Sequence, residues 1–214
     1  MRSKLVDILY KNLKDFVNIN YQYNICSNIR LFGYKLSYIV DGFEREIYEP
    51  CDKIIEPQSF STKKSQHSLN TLFAIEPKLK LINFISNTYG GCDNDDYIAH
   101  NELINTSNSL NDEEIIIGDE GFTNVPFIRT ILNNIDPAPR YNFNQYRVIV
   151  ENAISSIKKW WCIKLPLRCF LNHQLNFETA KQFHNKLVIV VAAIENLKTI
   201  TMNSSHFDID LSYI

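Results

Sequence analysis

Acidic residues directly follow two of the predicted β-strands. Tyr34 to Val40 alternates large apolar residues and leads into Asp41-Gly42, which predicts a strand that a turn ends. Glu114 to Gly118 holds three consecutive isoleucines, as in a strand buried on both faces, and leads into Asp119. If the two strands lie side by side, both aspartates reach the carboxyl edge of one sheet, where open α/β sheets bind ligands. Carboxylates there would suit Mg²⁺ or Mn²⁺, although either aspartate alone is equally explained as a turn or cap residue.

A third acid lies on a predicted helix, between two cations. Arg147, Glu151 and Lys158 are spaced by four and then seven residues, which places them within about 40° of one another on one helix face. The opposite face is apolar and can pack on a sheet; it carries Val150, Ala153, Ile154 and Ile157. Taken alone, the polar stripe is better explained as a solvated helix face with an ordinary Arg and Glu ion pair at i, i+4 spacing.

The elements before Asp119 alternate strands and helices. Residues 3–17 predict a short docking helix whose apolar face includes Leu5 and Ile8. Residues 69–75 and 79–86 predict a hairpin joined at 76–78. Gly90-Gly91 is expected to break the sheet pattern. Residues 93–96 then offer acidic N-cap residues for a helix that runs to about Ile104, followed by a polar loop at 106–111.

Helices dominate the chain after Asp119. Residues 125–134 are ambiguous, and Pro137 and Pro139 predict a break before a helix at about 143–161. Asn176 is expected to cap a final apolar helix that runs to about Leu197. Three antiparallel strands, a helix, a buried strand and further helices together indicate an α/β layered fold.

Composition limits the class of protein. The 214 residues are 45% hydrophobic, enough for one domain with a sizeable core. A net charge of −2 would usually argue against a nucleic-acid partner, but a DNA-facing surface can still be locally basic, as around Lys158, Lys159, Lys164 and Arg168. Five scattered cysteines, no secretory signal and no apolar run long enough for a bilayer predict a soluble intracellular protein without membrane contact.

Five blocks in order resemble the transposase superfamily with Asp, Asp, Glu active sites, most closely the eukaryotic Harbinger-type endonuclease domain. The resemblance runs from about Val40 to Leu197. The blocks are Asp41-Gly42, the Lys-rich residues 61–68, Gly90 to Asp95, Gly118 to Phe122, and Arg147 to Asn152 with Lys158-Lys159-Trp160. The resemblance implies an RNase H-like mixed sheet, three antiparallel strands followed by parallel strands, flanked by helices.

The resemblance also implies a site and a chemistry. Asp41, Asp119 and Glu151 would be the catalytic acids and would hold two divalent ions, Mg²⁺ or Mn²⁺, for phosphodiester hydrolysis and strand transfer. Asp95 is the alternative second acid, although a position at a helix N-terminus also accounts for it. The side chains expected on DNA phosphates are Arg147, Lys158, Lys63 and Lys64. Domain bounds would be a helical extension at 1–30, the catalytic domain at 31–200 and a tail at 201–214.

Several alternatives stay open from the sequence. A transposon-derived domesticated or decayed protein could bind DNA, or a separate Myb-like DNA-binding partner, without cleaving. A homo-oligomer is also open, and a eukaryotic host would place the protein in the nucleus. A proofreading-type exonuclease fits less well, because Glu44 lies one residue too far from Asp41 for a D-x-E pair. His67 is expected to be a hydrogen-bonded structural or phosphate-proximal residue and not a metal ligand. Trp160 and Trp161 are expected to pack in the core and at the rim, with base stacking on one of them as the alternative.

Overall fold

A mixed β-sheet forms the centre of the computed structural model, which describes residues 2–17, 29–50, 52–104, 110–130, 137–167 and 176–203. Its strands run in the order β3-β4-β2-β7-β8, with β1 beside β2 and with β5 and β6 beside β4. The bounds are β1 (Arg30–Leu31), β2 (Tyr34–Glu46), β3 (Phe60–Ser61), β4 (Gln66–Ile75), β5 (Ile82–Ile85), β6 (Tyr89–Gly90), β7 (Glu114–Ile117) and β8 (Ile128–Arg129).

Strand directions confirm the predicted mixed topology. β2, β4 and β5 pair antiparallel, whereas β7 runs parallel to β2 and β8 runs parallel to β7. β8 lies within the residues 125–134 whose structure was ambiguous from sequence. The α/β architecture, a mixed sheet flanked by helices, is the expected RNase H-like one.

Helices cover both faces of the sheet. They are α1 (Arg2–Leu13), α2 (Ile55–Ser59), α3 (Asp95–Glu102), α4 (Pro137–Lys158), α5 (Trp161–Lys164) and α6 (Phe177–Asn203). Apolar residues of α4 and α6 pack with Ile39, Phe43 and Phe73 on one face. On the other face, α3 packs on Val40 and Leu72. None of the helices in the described ranges is long and apolar enough to cross a membrane.

The turn predicted at Asp41-Gly42 is wrong, because β2 continues through both residues to Glu46. Asp41 is in register with Phe73 of β4, and Gly42 with Leu72. An Asp-Gly pair favours a turn locally, but antiparallel pairing with the long strand β4 holds this segment extended. Asp41 is therefore a mid-strand residue, fixed by backbone pairing rather than placed on a loop.

The break predicted at Gly90-Gly91 occurs at Gly91, where the chain turns, while Tyr89–Gly90 still forms a short strand paired with β4. A Cβ on Gly90 would lie 2.0 Å from the Gln58 carbonyl oxygen, so a glycine is needed where the two backbones meet. The expected hairpin between β4 and β5 is confirmed. The next helix, α3, is capped by Asn94, whose side chain accepts a hydrogen bond from the Tyr97 amide at 2.8 Å.

Pro137 and Pro139 begin a helix instead of breaking the chain before it. α4 starts at Pro137, six residues earlier than predicted, and ends at Lys158. Proline is tolerated in the first turn because its missing N–H has no helical partner there. The predicted apolar face of this helix is confirmed, since Val150, Ile154 and Ile157 are all buried in the core.

The first and last helices pack against each other. Lys186 of α6 donates to Asp7 of α1 at 2.6 Å, and Val6 lies against the core. Leu5 and Ile8 were expected on the docking face, but both are exposed, so the contact face of α1 is narrower than predicted. α6 runs six residues beyond the expected Leu197, and Asn176 accepts a hydrogen bond from the Thr179 amide as expected of a cap. Residues 105–109, most of the predicted polar loop, lie outside the described ranges.

Candidate active site

Asp41 and Asp119 lie side by side at one edge of the parallel strand pair. β2 and β7 are in register at Ile39 and Ile117, and each aspartate comes two residues after this pair. Asp41 Oδ1 accepts a hydrogen bond from the Gly42 amide at 2.8 Å. Asp119 Oδ1 accepts from the Gly121 amide at 2.9 Å and caps a 3₁₀ turn at Glu120–Phe122. The two acids therefore come together just past the last parallel pair of β2 and β7, although β2 itself continues to Glu46 and Asp41 is not at its end.

The electrostatic surroundings of Asp41 disfavour its charge. Burial raises the pKa of Asp41, and the carboxylates of Asp119 and Asp95 raise it further, to about 6. The Gly42 amide and the Arg147 guanidinium oppose this rise. A carboxylate held beside a second acid in a partly desolvated place is stabilised by a nearby cation. The arrangement therefore suits a positively charged ligand.

Asp95 approaches the same strand above Gly42. A Cβ on Gly42 would lie 2.3 Å from Asp95 Oδ1, so the aspartate side chain occupies the space that this glycine leaves open. Asn70 Nδ2 donates to Asp95 Oδ1 at 3.0 Å, and Lys63 Nζ lies 3.6 Å from Oδ2. Asp95 is also the first residue of α3, as expected for an acid at a helix N-terminus.

Glu151 borders this cluster through an arginine. Its Oε1 lies 3.2 Å from Arg147 Nη2, and half of its side chain is exposed. Arg147 in turn lowers the pKa of Asp41, so α4 presents its basic residue to the aspartates. In the described ranges, no three Asp, Glu, His or Cys side chains are close enough to hold a metal ion together. Asp41 and Asp119 are adjacent, whereas the third predicted ligand, Glu151, is ion-paired with Arg147 and is not grouped with them.

The profile of one protein family, described as DDE superfamily endonuclease, matches residues 40–196. The chain belongs to this family. The match covers well over half of the sequence and includes Asp41, Asp95, Asp119 and Glu151. No curated protein and no solved structure matches the chain.

Three lysines of this DDE domain lie near its acids: Lys158 near Asp41, Lys63 near Asp95 and Lys64 near Glu44. Lys158 Nζ lies 5.8 Å above the Phe43 ring. Partial burial lowers the pKa of Lys158 and the charge of Lys64 lowers it further, against the opposing effect of Asp41 and Glu44. Lys63 and Lys64, which sequence reasoning assigned to DNA phosphates, lie 3.6 Å from Asp95 and 2.9 Å from Glu44 respectively. Both lysines therefore already neutralise acids of the DDE domain.

Glu44 is a member of this cluster that sequence reasoning did not single out. Although burial opposes it, hydrogen bonds from Ser61, Ser68 and Lys64 lower the pKa of Glu44, which favours a charged carboxylate. The Ser68 hydroxyl donates to Glu44 Oε1 at 2.5 Å. The serines and lysines of residues 61–68 were recognised as a block, but their common acceptor becomes visible only from the pairing of β2 with β4.

His67 and the tryptophans have mainly structural surroundings. His67 Nδ1 lies 2.9 Å from the Ser59 hydroxyl, and its ring meets Phe60 edge to face. Trp160 donates to Glu195 at 2.6 Å and lies under Lys198, which fits the expected packing role. Trp161 is 73% exposed, so it lies at the rim of the DDE domain and outside its core.

Proposed function

We propose that this DDE domain is a divalent-metal-dependent DNA endonuclease of the transposase kind, closest to the Harbinger type. The observation that carries the proposal is the juxtaposition of Asp41 and Asp119 on parallel neighbours β2 and β7, where the second carboxylate helps to raise the pKa of the first to about 6. Two acids forced together in this way are characteristic of functional sites more than of structural ion pairs.

Carboxylate oxygens fit Mg²⁺ or Mn²⁺. Asp41 and Asp119 would hold the ions. Glu151 would become the third ligand after its ion pair with Arg147 is broken. Two bound ions would supply Lewis acidity for an attacking water or DNA 3′-hydroxyl and for the leaving oxygen. The burial that penalises an isolated Asp41 carboxylate is offset when cations are bound beside it.

Basic side chains of the domain would position the DNA backbone. The charge of Arg147 lowers the pKa of Asp41, and the charge of Asp41 raises the pKa of Lys158, so both cations lie close to this carboxylate. A phosphate diester arriving there would bind both cations while its phosphorus faces the acids. Arg147 then gains a phosphate partner in place of Glu151, which frees that carboxylate for the third ligand position. Lys63 and Lys64 are added phosphate contacts in this proposal, shared with Asp95 and Glu44.

Nicking of supercoiled plasmid in Mg²⁺ tests the assignment of the acids. Asp41→Asn, Asp119→Asn and Glu151→Gln are each expected to reduce the nicking rate at least about 10³-fold, because each removes a charged oxygen ligand. Asp112→Asn, on an exposed turn, is the matched control and should retain activity. Asp95→Asn decides the rival assignment: full activity in Asp119→Asn with loss in Asp95→Asn would overturn the role given to Asp119.

A second candidate function is a transposon-derived protein that binds DNA, or a Myb-like partner, without cleaving. The pairing of Glu151 with Arg147 favours it, because the third acid is not beside the other two. Plasmid that stays supercoiled with either metal while the protein still binds DNA would support this function. A nuclear location and a separate Myb-like partner belong to both proposals; microscopy of the tagged protein and co-purification test them.

A further inference from the structure

An exposed surface that is both apolar and basic lies on α5. Trp161 is 73% exposed and Leu165 is 44% exposed. The Leu165 amide donates to the Trp161 carbonyl oxygen at 3.4 Å, so the two side chains lie one helical turn apart on the same side. Lys164 belongs to the same turn and is also exposed. Tryptophan is enriched at interaction sites, and we call these three residues the α5 surface.

Charge at the α5 surface favours an acidic partner. Lys164 lines a pocket of about 330 Å³ together with Lys158. Of the two acids that line this pocket, Glu44 is already paired with Lys64 at 2.9 Å, and the other is Glu46. Within the described ranges, neither Lys158 nor Lys164 forms an ion pair. The surface therefore suits an occupant that has both apolar and acidic side chains.

The chain itself contains a segment of this composition. Residues 204–214 follow α6 and lie outside the described ranges. Apolar and acidic residues alternate in the run Phe207-Asp208-Ile209-Asp210-Leu211, and residues 204–214 include no lysine or arginine. Successive side chains of an extended chain point to opposite sides. Extended residues 207–211 would therefore present one apolar row and one acidic row.

α6 ends close to the α5 surface. Lys198 Nζ lies 4.6 Å from the centroid of the Trp160 ring, and Trp160 is the chain neighbour of Trp161. α6 continues five residues beyond Lys198 to Asn203, which is about 7–8 Å along its axis. The four residue steps from Asn203 to Phe207 can span about 13–14 Å. Phe207 can therefore return to the level of Trp161.

We propose that residues 207–211 dock on the α5 surface of the same chain. The apolar row lies against Trp161 and Leu165, and the two aspartates lie beside Lys158 and Lys164. Because a short tether gives an effective concentration on the order of mM, weak contacts are enough to keep the segment docked. Docking requires neither DNA nor metal, so the inference is independent of the proposed function.

Acrylamide quenching of Trp161 fluorescence tests the docking in the full chain, without DNA or metal. Trp161→Phe identifies the share of this residue in the signal, because Trp160 is the only other tryptophan in the sequence. Asp208→Asn with Asp210→Asn should raise the quenching constant of Trp161 at least about twofold, because the docked fraction falls when two charge-assisted contacts are lost.

Matched variants localise the effect. Asp112→Asn with Glu113→Gln removes two charges from an exposed turn and should leave the quenching constant unchanged. Lys164→Glu should raise the constant as the aspartate variant does, because it places a like charge beside the acidic row. Lys4→Glu makes the same charge reversal at an exposed position of α1 and should have no effect.

Photo-cross-linking measures the contact directly. With p-benzoylphenylalanine in place of Phe207, irradiation should link this position, within one chain, to a peptide that contains Trp161 or Leu165. Lys164→Glu should lower the cross-linking yield, whereas Lys4→Glu should not.

Four results would contradict the proposal. The first is an equal quenching constant in the parent and the Asp208→Asn, Asp210→Asn variant, without a cross-link to α5. The second is an equal rise in the variant of the exposed turn, because general charge would then explain the effect. Protection of Trp161 that grows with protein concentration, with cross-links between chains, would assign the surface to a second copy. Protection that arises only when DNA is added would assign it to DNA.

Discussion

At the scale of single residues, the ionised Asp41 carboxylate lowers the stability of the folded protein, although it is a proposed metal ligand. Its folded-state pKa is raised from 3.8 to about 6 by burial first and then by Asp119. At a pH between these two pKa values, the folded protein binds more protons at Asp41 than the unfolded chain does. Stability is therefore lost as pH rises from about 4 to about 6, and above that window the full penalty of the ionised carboxylate is present.

Replacing this carboxylate should stabilise the metal-free protein. Asp41→Asn in EDTA at pH 7 is expected to raise the free energy of unfolding by on the order of 1–3 kcal/mol, because the amide carries no buried charge. Thermal unfolding from pH 4 to pH 8 measures this, and the difference from the parent protein should shrink toward pH 4. Asp112→Asn, on an exposed turn, should show a small difference without that pH profile. An Asp41→Asn protein less stable than its parent at pH 7 would contradict the raised pKa.

The position of the Asp95 side chain depends on residue 42 being a glycine. Gly42→Ala would bring a Cβ within 2.3 Å of Asp95 Oδ1 and force the carboxylate away from Asn70. The expected destabilisation is about 1–2 kcal/mol. In a double-mutant cycle, Asp95→Gly should remove most of the cost of Gly42→Ala, since the obstructing carboxylate is gone. Additive effects in urea unfolding would show that the two residues do not compete for this space.

Sequence reasoning found Asp41 and Asp119 because each follows a recognisable apolar strand pattern. It could not place Asp95 above Gly42, since these residues are 53 positions apart in the chain and meet through strand pairing and the entry of α3. The environment of Glu151 was equally hidden. Helix periodicity predicted which residues of α4 lie next to Glu151. Which of them Glu151 pairs with depends on side-chain rotamers and on how the helix packs on the sheet.

At the scale of elements, the helix pattern predicted the buried face of α4 correctly, as Val150, Ile154 and Ile157 show. The alternation from Tyr34 to Val40 predicted a strand but not one buried face of it: Leu36 packs in one core cluster and Val40 in the other, on either side of an irregularity in the pairing with β7.

Residues that favour turns were the least reliable guide. Asp41-Gly42, Gly90-Gly91 and Pro137 were all interpreted as interruptions. Long-range pairing keeps Asp41-Gly42 and Gly90 in the sheet, whereas the chain does turn at Gly91. Pro137 lies in the first turn of a helix, where proline fits.

A buried asparagine connects three elements. Asn196 of α6 accepts from the Ile82 amide of β5 at 2.9 Å, and its amide donates to the Ile82 and Phe16 carbonyl oxygens at 2.8 Å each. Asn196→Leu is expected to destabilise the protein by about 2–4 kcal/mol, because backbone groups are left buried without partners. Asn101→Ala, which removes a comparable bond to an exposed carbonyl on α3, should change stability by less than 1 kcal/mol. Similar urea midpoints for the two variants would contradict this role.

At the scale of the whole molecule, net charge is a poor guide to the surface that DNA would meet. The chain carries −2 overall. Four cations nonetheless lie beside acids of the candidate site: Arg147 and Lys158 near Asp41, Lys63 near Asp95, and Lys64 near Glu44. The acids that these cations neutralise account for part of the negative total. An overall count from sequence sums both groups and hides the local pattern.

Salt dependence of DNA binding should report this pattern. Arg147→Ala with Lys158→Ala removes two proposed phosphate contacts, so the slope of log K against log salt should become less steep by about 1.8 for duplex DNA. Lys4→Ala with Lys11→Ala removes equal charge from exposed positions on α1 and should leave the slope nearly unchanged. Equal changes in slope for both pairs would indicate nonspecific attraction over the whole surface.

β2 begins at Tyr34, whereas the family match begins at Val40, in the middle of that strand. The residues of β2 in register with β7 all precede Val40, from Lys35 to Ile39. A shortened polypeptide of residues 40–196 would leave β7 without this parallel neighbour and Asn196 without the Phe16 carbonyl. The smallest fragment expected to fold alone therefore extends past the matched region toward the amino terminus, and deletion experiments should retain α1 and β1.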